Sequence, residues 1–385
     1  MNTKFIHAKL YDRRSHTFFD GSMTVGSGTG IPGARPAILS LGHGDSETQA
    51  DEVVDLHGGY VIPGLVDVHT HGRCTFDFAS ATVEQMKIMR DSYAKDGTLT
   101  LLPTIASAPY DDMVEAVRRI REAGFDAVHL EGRWMNEKQR GGHNPAYLAK
   151  PIPEELPPFF EAAGDMNVLI TVAAELDPDF AFVREAIARG ATVSLGHTDA
   201  DYDTAKAAIK AGINSFTHTY NCMPQIHHRA PGAIVAALES DDAYAEIISD
   251  GFHLHPAIVR MTQRAKAKDK LVLITDSMSA TGCPDGEYSI AGIDVTVKDG
   301  KAINREGHIA GSTISLFDGL TRFMEFTGLS LEEALPYATE NPARMVGMEH
   351  KCGSLRPGGA ADFLVLDTEN GAWQIRDVYR GGERM

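Results

Sequence analysis

Two histidines one residue apart, His69 and His71, close the apolar run Val61-Ile62-Pro63-Gly64-Leu65-Val66-Asp67-Val68. Residues i and i+2 of a strand share a face, so this run would deliver two imidazoles side by side. Neutral imidazole is a common ligand for zinc and iron, which makes the pair natural metal donors. Four further groups end apolar runs in the same way: Glu131 after Val128-His129-Leu130, His197 after Val193-Ser194-Leu195-Gly196, His218 after Ser215-Phe216-Thr217, and Asp276 after Leu271 to Thr275. Taken singly, each has an ordinary explanation. Glu131 would pair with Arg133, and Asp276 would cap the segment that begins at Ser277. Neither explanation accounts for all six.

Such groups need elements that bring them to one place. Beyond Val61, apolar runs alternate with amphipathic segments, and Thr98 to Ile105, Phe125 to Leu130, Asn167 to Ala173, Ala191 to Gly196, Ile213 to Thr217, Tyr244 to Ser249 and Leu271 to Thr275 read as strands. With the Val61 run they make eight. Thr82 to Lys95 carries Val83, Met86, Met89 and Tyr93 at near-helical spacing, behind Thr82 and Gln85 placed as a capping box. Asp111 to Glu122, Asp203 to Ala211 and Pro256 to Lys268 also have helical patterns. Eight strand-helix units are what a (β/α)8 TIM-type barrel requires, although periodicity alone also permits a doubly wound open sheet. In a barrel the C-terminal strand ends surround one mouth, where all six groups would meet. Residues 1–57 and 347–385 read instead as short strands and turns. A small β-sandwich domain built from both termini is expected, with 58–346 as the barrel. The Gly/Pro/Ser-rich piece from Gly26 to Gly44 reads as hairpin loops or poorly ordered chain.

The 385 residues, 43% hydrophobic and 23% charged, are enough for a large core. A formal net charge of -17 argues against a surface that tracks phosphate backbones or anionic lipid, so neither nucleic acid nor membrane is an expected partner. Cys74, Cys222, Cys283 and Cys352 are widely spaced and form no Cys-x-x-Cys, which suits a reducing compartment. The N-terminus lacks a signal-peptide pattern and no run approaches membrane-spanning length. A soluble cytoplasmic protein is expected.

Short motifs in a fixed order carry a resemblance: His129-Leu130-Glu131-Gly132, Gly142-His143-Asn144-Pro145, Leu195-Gly196-His197-Thr198, Thr217-His218-Thr219-Tyr220-Asn221-Cys222-Met223-Pro224, Asp250-Gly251-Phe252-His253, Thr275-Asp276 and Ala310-Gly311-Ser312. From about Asp55 to Asp367 the sequence resembles the amidohydrolase superfamily, and more closely its N-acetylglucosamine-6-phosphate deacetylases. The resemblance implies a divalent metal held by Glu131, His197 and His218, with His69 and His71 able to hold a second and Glu131 bridging. Zinc is the first expectation for the one or two ions, with iron, manganese or cobalt as alternatives. Asp276 matches the family's general acid/base, and His143 and His253 would contact substrate near the reacting centre. Arg229 matches an arginine that binds the sugar phosphate, often from the neighbouring subunit, so a homodimer is implied. Asn221 and the backbone around Cys222 would belong to the same phosphate and sugar loop, with Cys222 a small packing residue rather than a catalytic thiol.

The implied reaction is hydrolysis of the acetamide of an N-acetylhexosamine 6-phosphate, N-acetylglucosamine 6-phosphate first. The alternatives are N-acetylgalactosamine 6-phosphate or a different amide. Amide hydrolysis needs a nucleophile stronger than water, and a bound cation supplies it by lowering the water pKa towards ~7. The departures from the family pattern fall in loops expected to shape the sugar pocket. Arg133 replaces the usual proline, Ala230 the usual glutamate, and Thr219, Cys222 and Ser277 also differ. Arg133 would either bind an anionic group or, as the default for an isolated arginine, form an exposed ion pair.

Overall fold

The computed structural model describes residues 1–27, 36–44 and 49–385. Eight parallel strands form its centre: β1 (Leu65–Thr70), β2 (Thr98–Ile105), β3 (Ala127–Leu130), β4 (Asn167–Val172), β5 (Thr192–Leu195), β6 (Ser215–Phe216), β7 (Tyr244–Ile248) and β8 (Leu271–Ile274). Each pairs with the next in chain order. The ring is drawn shut just beyond the strand ends, where the Asp276 N–H donates to the His69 carbonyl at 2.9 Å and the His71 N–H to the Ser277 carbonyl at 2.8 Å. The hydroxyls of Thr70, Tyr93 and Ser277 bond to one another along this seam. The fold is the expected (β/α)8 barrel and not an open sheet.

Pro63-Gly64 divides what reads as one strand in the sequence. Tyr60–Pro63 leaves the barrel and pairs in parallel with Asn2–Asp12 and antiparallel with Phe363–Glu369. A Cβ on Gly64 would lie 2.6 Å from the Leu99 Cβ, so a residue without one is needed where the chain crosses β2. Thr17–Gly26, Ala37–His43, Glu52–Asp55, Ala372–Arg380 and Glu383–Arg384 complete a mixed eight-stranded sheet, the small β-sandwich domain drawn from both termini. Its core stacks Phe363 on Tyr379 at 4.6 Å, with Phe5 edge-on to both. Ala37–His43 corrects the loop expected between Gly26 and Gly44. Ile38 is fully buried there, and its burial with the ladder to Thr17–Gly26 outweighs the glycines on either side. Residues 28–35 of that piece lie outside the described residues.

The helices fall close to their expected places. Thr82 and Gln85 form the capping box, and the helix Val83–Lys95 that follows buries Met86, Met89 and Tyr93. Each such methionine contributes about 1.5–3 kcal/mol. Tyr110–Glu122 and Tyr202–Ala211 match the pattern, while the helix from Pro256 ends at Ala265 rather than Lys268.

The barrel interior is layered. Towards the N-terminal strand ends, Leu102, Leu169 and Val272 pack with Met345 from the helix Glu340–Met345. Asn167 Nδ2 donates to the Val346 carbonyl at 3.0 Å, Asn214 Nδ2 to that of Met345 at 3.2 Å, and Asn341 Nδ2 to that of Leu271 at 2.8 Å, which fastens the helix beneath the barrel. Higher up the interior turns polar. His129 Nε2 meets Thr171 Oγ1 at 2.8 Å, and Thr217 Oγ1 meets both Thr171 Oγ1 at 2.8 Å and Ser194 Oγ at 2.6 Å. This layer is the floor of the mouth. After β8 an antiparallel sheet of Gly286–Ile290, Ile293–Lys298 and Lys301–Asn304 forms a strap beside the mouth, with its own core of Met278, Ile290, Val295 and Val297.

Candidate active site

All six strand-end groups converge on the mouth. His197, His218 and Asp276 have φ of 46°, 30° and 49°, a left-handed backbone that non-glycine residues adopt at a cost of about 1–3 kcal/mol each. The turn breaks the strand immediately after the last ladder bond and swings each side chain inward.

Glu131 is the centre of the cluster, and its two oxygens face different partners. Oε1 lies 3.1 Å from His197 Nε2 and 2.9 Å from His218 Nε2, which are themselves 3.0 Å apart. Oε2 lies 3.3 Å from His69 Nε2 and 3.0 Å from His71 Nε2, and those two nitrogens are separated by 3.2 Å. Asp276 Oδ1 closes this second group at 3.2 Å from His71 Nε2 and 3.6 Å from His69 Nε2. Ligands at about 2.0–2.1 Å from a cation stand about 2.8–3.4 Å from one another in octahedral or tetrahedral arrangement. The first group has that spacing throughout, and in the second only the 3.6 Å from His69 Nε2 to Asp276 Oδ1 exceeds it.

The tautomers make the same point. His197 Nδ1 sits 2.8 Å from the Gln139 carbonyl, so Nδ1–H donates and Nε2 presents a lone pair. A lone pair 3.1 Å from a carboxylate oxygen is repulsive unless a cation or a proton lies between them. Protons can fill that role, and the electrostatics show the demand. Burial disfavours charge on the His71 ring, but the Asp276 and Glu131 carboxylates outweigh it and push the imidazole up to about 9. Burial likewise opposes ionisation of Glu131 and Asp276, yet the surrounding imidazoles hold both carboxyls well below the usual range. The residues present fit a divalent metal at either group.

Two more histidines complete the wall. His143 accepts the Ser107 N–H at Nδ1, at 3.3 Å, with Ser107 Oγ also 2.9 Å away. Its Nε2 therefore carries the proton and points towards Glu131 Oε2 at 3.6 Å. Burial lowers its pKa to about 4, so it is a neutral donor. His253 Nδ1 lies 2.7 Å from Asp250 Oδ2, while Asp250 Oδ1 accepts the N–H groups of Phe252 and His253. The cavity, about 280 Å³, is lined by His71, Glu131, His197, His218 and Asp276 of the cluster, with His69 buried behind them, together with His143, Asn221, Cys222 and His253. The strap adds Ile290, Ala291, His308 and Ile309.

Arg229 stands apart. It is exposed on the loop after β6, bonds His228 Nε2 at 2.6 Å, and is not among the residues that line the cavity. Arg133 is also withdrawn. It makes a two-pronged pair with Glu155, at 3.0 and 2.8 Å, and lies 5.0 Å from the centre of the Tyr110 ring. This pair is mostly buried rather than exposed, and Glu131 has no bond to Arg133. Sequence reading misses Ser107, Asp250 and the strap. Asp250 carries a signal, since it precedes His253 within one short motif, and the alternation Ile293-Asp294-Val295-Thr296-Val297 before Asp299-Gly300 marks a hairpin.

The model of the amidohydrolase family matches residues 60–384. The chain belongs to the amidohydrolase family. Members of this family are metal-dependent, and the His/Glu cluster of this amidohydrolase can hold a metal. The N-acetylglucosamine-6-phosphate deacetylase of Vibrio furnissii is 32% identical over 337 residues, covering 84% of this chain and 83% of the relative. The N-acetylgalactosamine-6-phosphate deacetylase of Escherichia coli O157:H7 is 32% identical over 314 residues, covering 80% and 83%. Among solved structures, a substituted N-acetyl-D-glucosamine-6-phosphate deacetylase from Mycobacterium smegmatis, in complex with N-acetyl-D-glucosamine-6-phosphate, superimposes with a TM-score of 0.88 at 30% identity, covering 100% of this chain and 98% of that one. The Pasteurella multocida N-acetylglucosamine-6-phosphate deacetylase gives 0.90 at 27% identity, with 100% of both chains covered. No helix among the described residues is long and apolar enough to cross a membrane.

Proposed function

We propose that this amidohydrolase hydrolyses the acetamide of an N-acetylhexosamine 6-phosphate, N-acetylglucosamine 6-phosphate first, to give the amino sugar phosphate and acetate. The observation that carries the reading is Glu131 with each oxygen turned to its own pair of imidazoles and Asp276 closing the second group. A divalent cation held by Glu131, His197 and His218, with a second held by His69, His71 and Glu131, would polarise the acetyl carbonyl and acidify the attacking water. Zinc suits the nitrogen and carboxylate donors, as do iron, manganese and cobalt.

The chain's own groups supply the rest. The Asp276 carboxylate takes the proton of the attacking water and delivers it to the amide nitrogen, so that the C–N bond breaks in preference to expulsion of water. His143 Nε2–H donates to substrate beside the reacting carbon. His253, held by Asp250, contacts the sugar, and Asn221 with the backbone at Cys222 borders the phosphate end. Arg229 is exposed and is not among the residues that line its own cavity, which supports delivery of its guanidinium to the phosphate of a neighbouring subunit in a homodimer. Location in the cytoplasm is part of the same proposal. The four described cysteines are free, in keeping with a reducing compartment.

The test is acetate release from metal-loaded protein given each N-acetylhexosamine 6-phosphate separately. Turnover of the gluco epimer above the galacto epimer is expected. Absence of acetate from every phosphorylated N-acetyl sugar would overturn the substrate, leaving another amide. The name of the Escherichia coli relative makes the galacto epimer the second reading.

A further inference from the structure

Strand β7 carries an acid at an inward position between Tyr244 and Ile248, both of which pack into the apolar interior. The Glu246 side chain is fully buried. Its Oε2 lies 3.5 Å from His69 Nδ1 and accepts the His218 N–H at 3.2 Å, while Oε1 has no partner. Among the described residues no lysine or arginine pairs with it; the His69 ring is its one potential counter-charge. A buried acid with one imidazole partner is costly to desolvate, and an apolar residue of equal volume would pack β7 without that cost.

What the acid adds is direction. When Oε2 receives the His69 Nδ1–H, the ring is fixed as the tautomer whose Nε2 lone pair faces Glu131 Oε2, His71 Nε2 and Asp276 Oδ1. The same oxygen accepts the backbone N–H of His218, a contact that holds the carboxylate in place against the His69 ring.

We propose that Glu246 is a positioning residue that fixes the tautomer and ring direction of His69, and thereby sets the affinity of the His69/His71/Glu131/Asp276 position for a divalent cation. The Glu131/His197/His218 position keeps its affinity without it. The inference rests on the two-position reading given above. Loss of such an outer carboxylate typically weakens a metal position about 10–100-fold.

The experiment strips the full-length protein with a chelator and titrates wild type, Glu246→Gln and Glu246→Leu with Zn²⁺, counting bound ions by mass spectrometry and affinities by calorimetry. Wild type should take two equivalents. Glu246→Leu should keep the tight ion and bind the second about 10–100-fold more weakly, with Glu246→Gln between, because its amide oxygen still accepts the Nδ1–H. Both affinities unchanged in the variants, or both lowered equally, would overturn the proposal. Should Glu246→Leu fail to fold, Glu246→Gln decides, and a wild-type second affinity in it refutes the role. A wild type that takes only one equivalent refutes the two-position reading itself, a result separate from failure at Glu246.

Discussion

Gly132→Ala tests how tightly the mouth is assembled. Gly132 follows Glu131, and a Cβ there would lie 2.6 Å from Ser107 N, 2.7 Å from Ser107 Cα and 2.9 Å from the Ala106 carbonyl carbon. These are backbone atoms, which cannot rotate aside. Ordinary contact begins at 3.4 Å, so the exits of β2 and β3 would have to part by about 0.8 Å. Ser107 holds His143 Nδ1, and His143 Nε2 faces Glu131, so the displacement passes directly into the cavity wall. Overpacking of this kind costs about 1–3 kcal/mol of stability. A misplacement approaching 1 Å costs about 10²-fold in turnover. Urea unfolding measures the first quantity and acetate release from the metal-loaded variant the second, with metal content checked in the same samples. A Gly132→Ala enzyme with its metal bound and wild-type kcat would show that the chemistry tolerates this shift, and the argument for His143 would fall with it.

Asp276→Asn should lower kcat by about 10²–10⁴-fold, as expected for loss of a general acid/base, with the fold intact by circular dichroism; near-normal kcat would remove Asp276 from proton transfer. Arg229→Ala should raise KM for the phosphorylated sugar by about 10–100-fold, the loss of charged hydrogen bonds worth about 1.5–3 kcal/mol, and leave kcat/KM for the unphosphorylated sugar unchanged. Mixing Arg229→Ala with Asp276→Asn subunits should restore about one quarter of the sites if the arginine crosses the interface, and none if it acts within its own chain. Glu155→Ala should destabilise by about 3–5 kcal/mol in urea, because Arg133 and the Trp134 indole both lose their partner; a change under about 1 kcal/mol would mean that water replaces the carboxylate freely.

The strand-end groups are legible in the sequence because the signal is local: an apolar run, then a residue able to do chemistry. Ring closure converts that repeated local pattern into one site. Contacts made by closure itself carry no such signal. Glu246 reads as one polar interruption of an apolar strand, and only the meeting of β1, β6 and β7 sets it against His69 and His218. Arg133 finds Glu155 across an irregular loop, so the expected pairing with Glu131 was a neighbour in sequence and not in space. The strand Ala37–His43 is hidden by its flanking glycines and prolines, and β6 shrinks to Ser215–Phe216 because the chain turns into the mouth at His218.

The two-ended sheet has a consequence for synthesis. Asn2–Asp12 finds Thr17–Gly26 and Glu52–Asp55 nearby, but the far edge of Tyr60–Pro63 is covered only by Phe363–Glu369. About 300 residues separate those partners, which at ribosomal rates of about 5–20 residues per second is about 15–60 s. For that interval the nascent chain offers an unpaired, apolar strand edge to anything within reach, a template for intermolecular pairing. The barrel floor waits almost as long, since Glu340–Met345 is translated after all eight strands. The emerging polypeptide is therefore open to association from the emergence of Tyr60–Pro63 until Phe363–Glu369 follows, and crowded polysomes are where its yield would be decided.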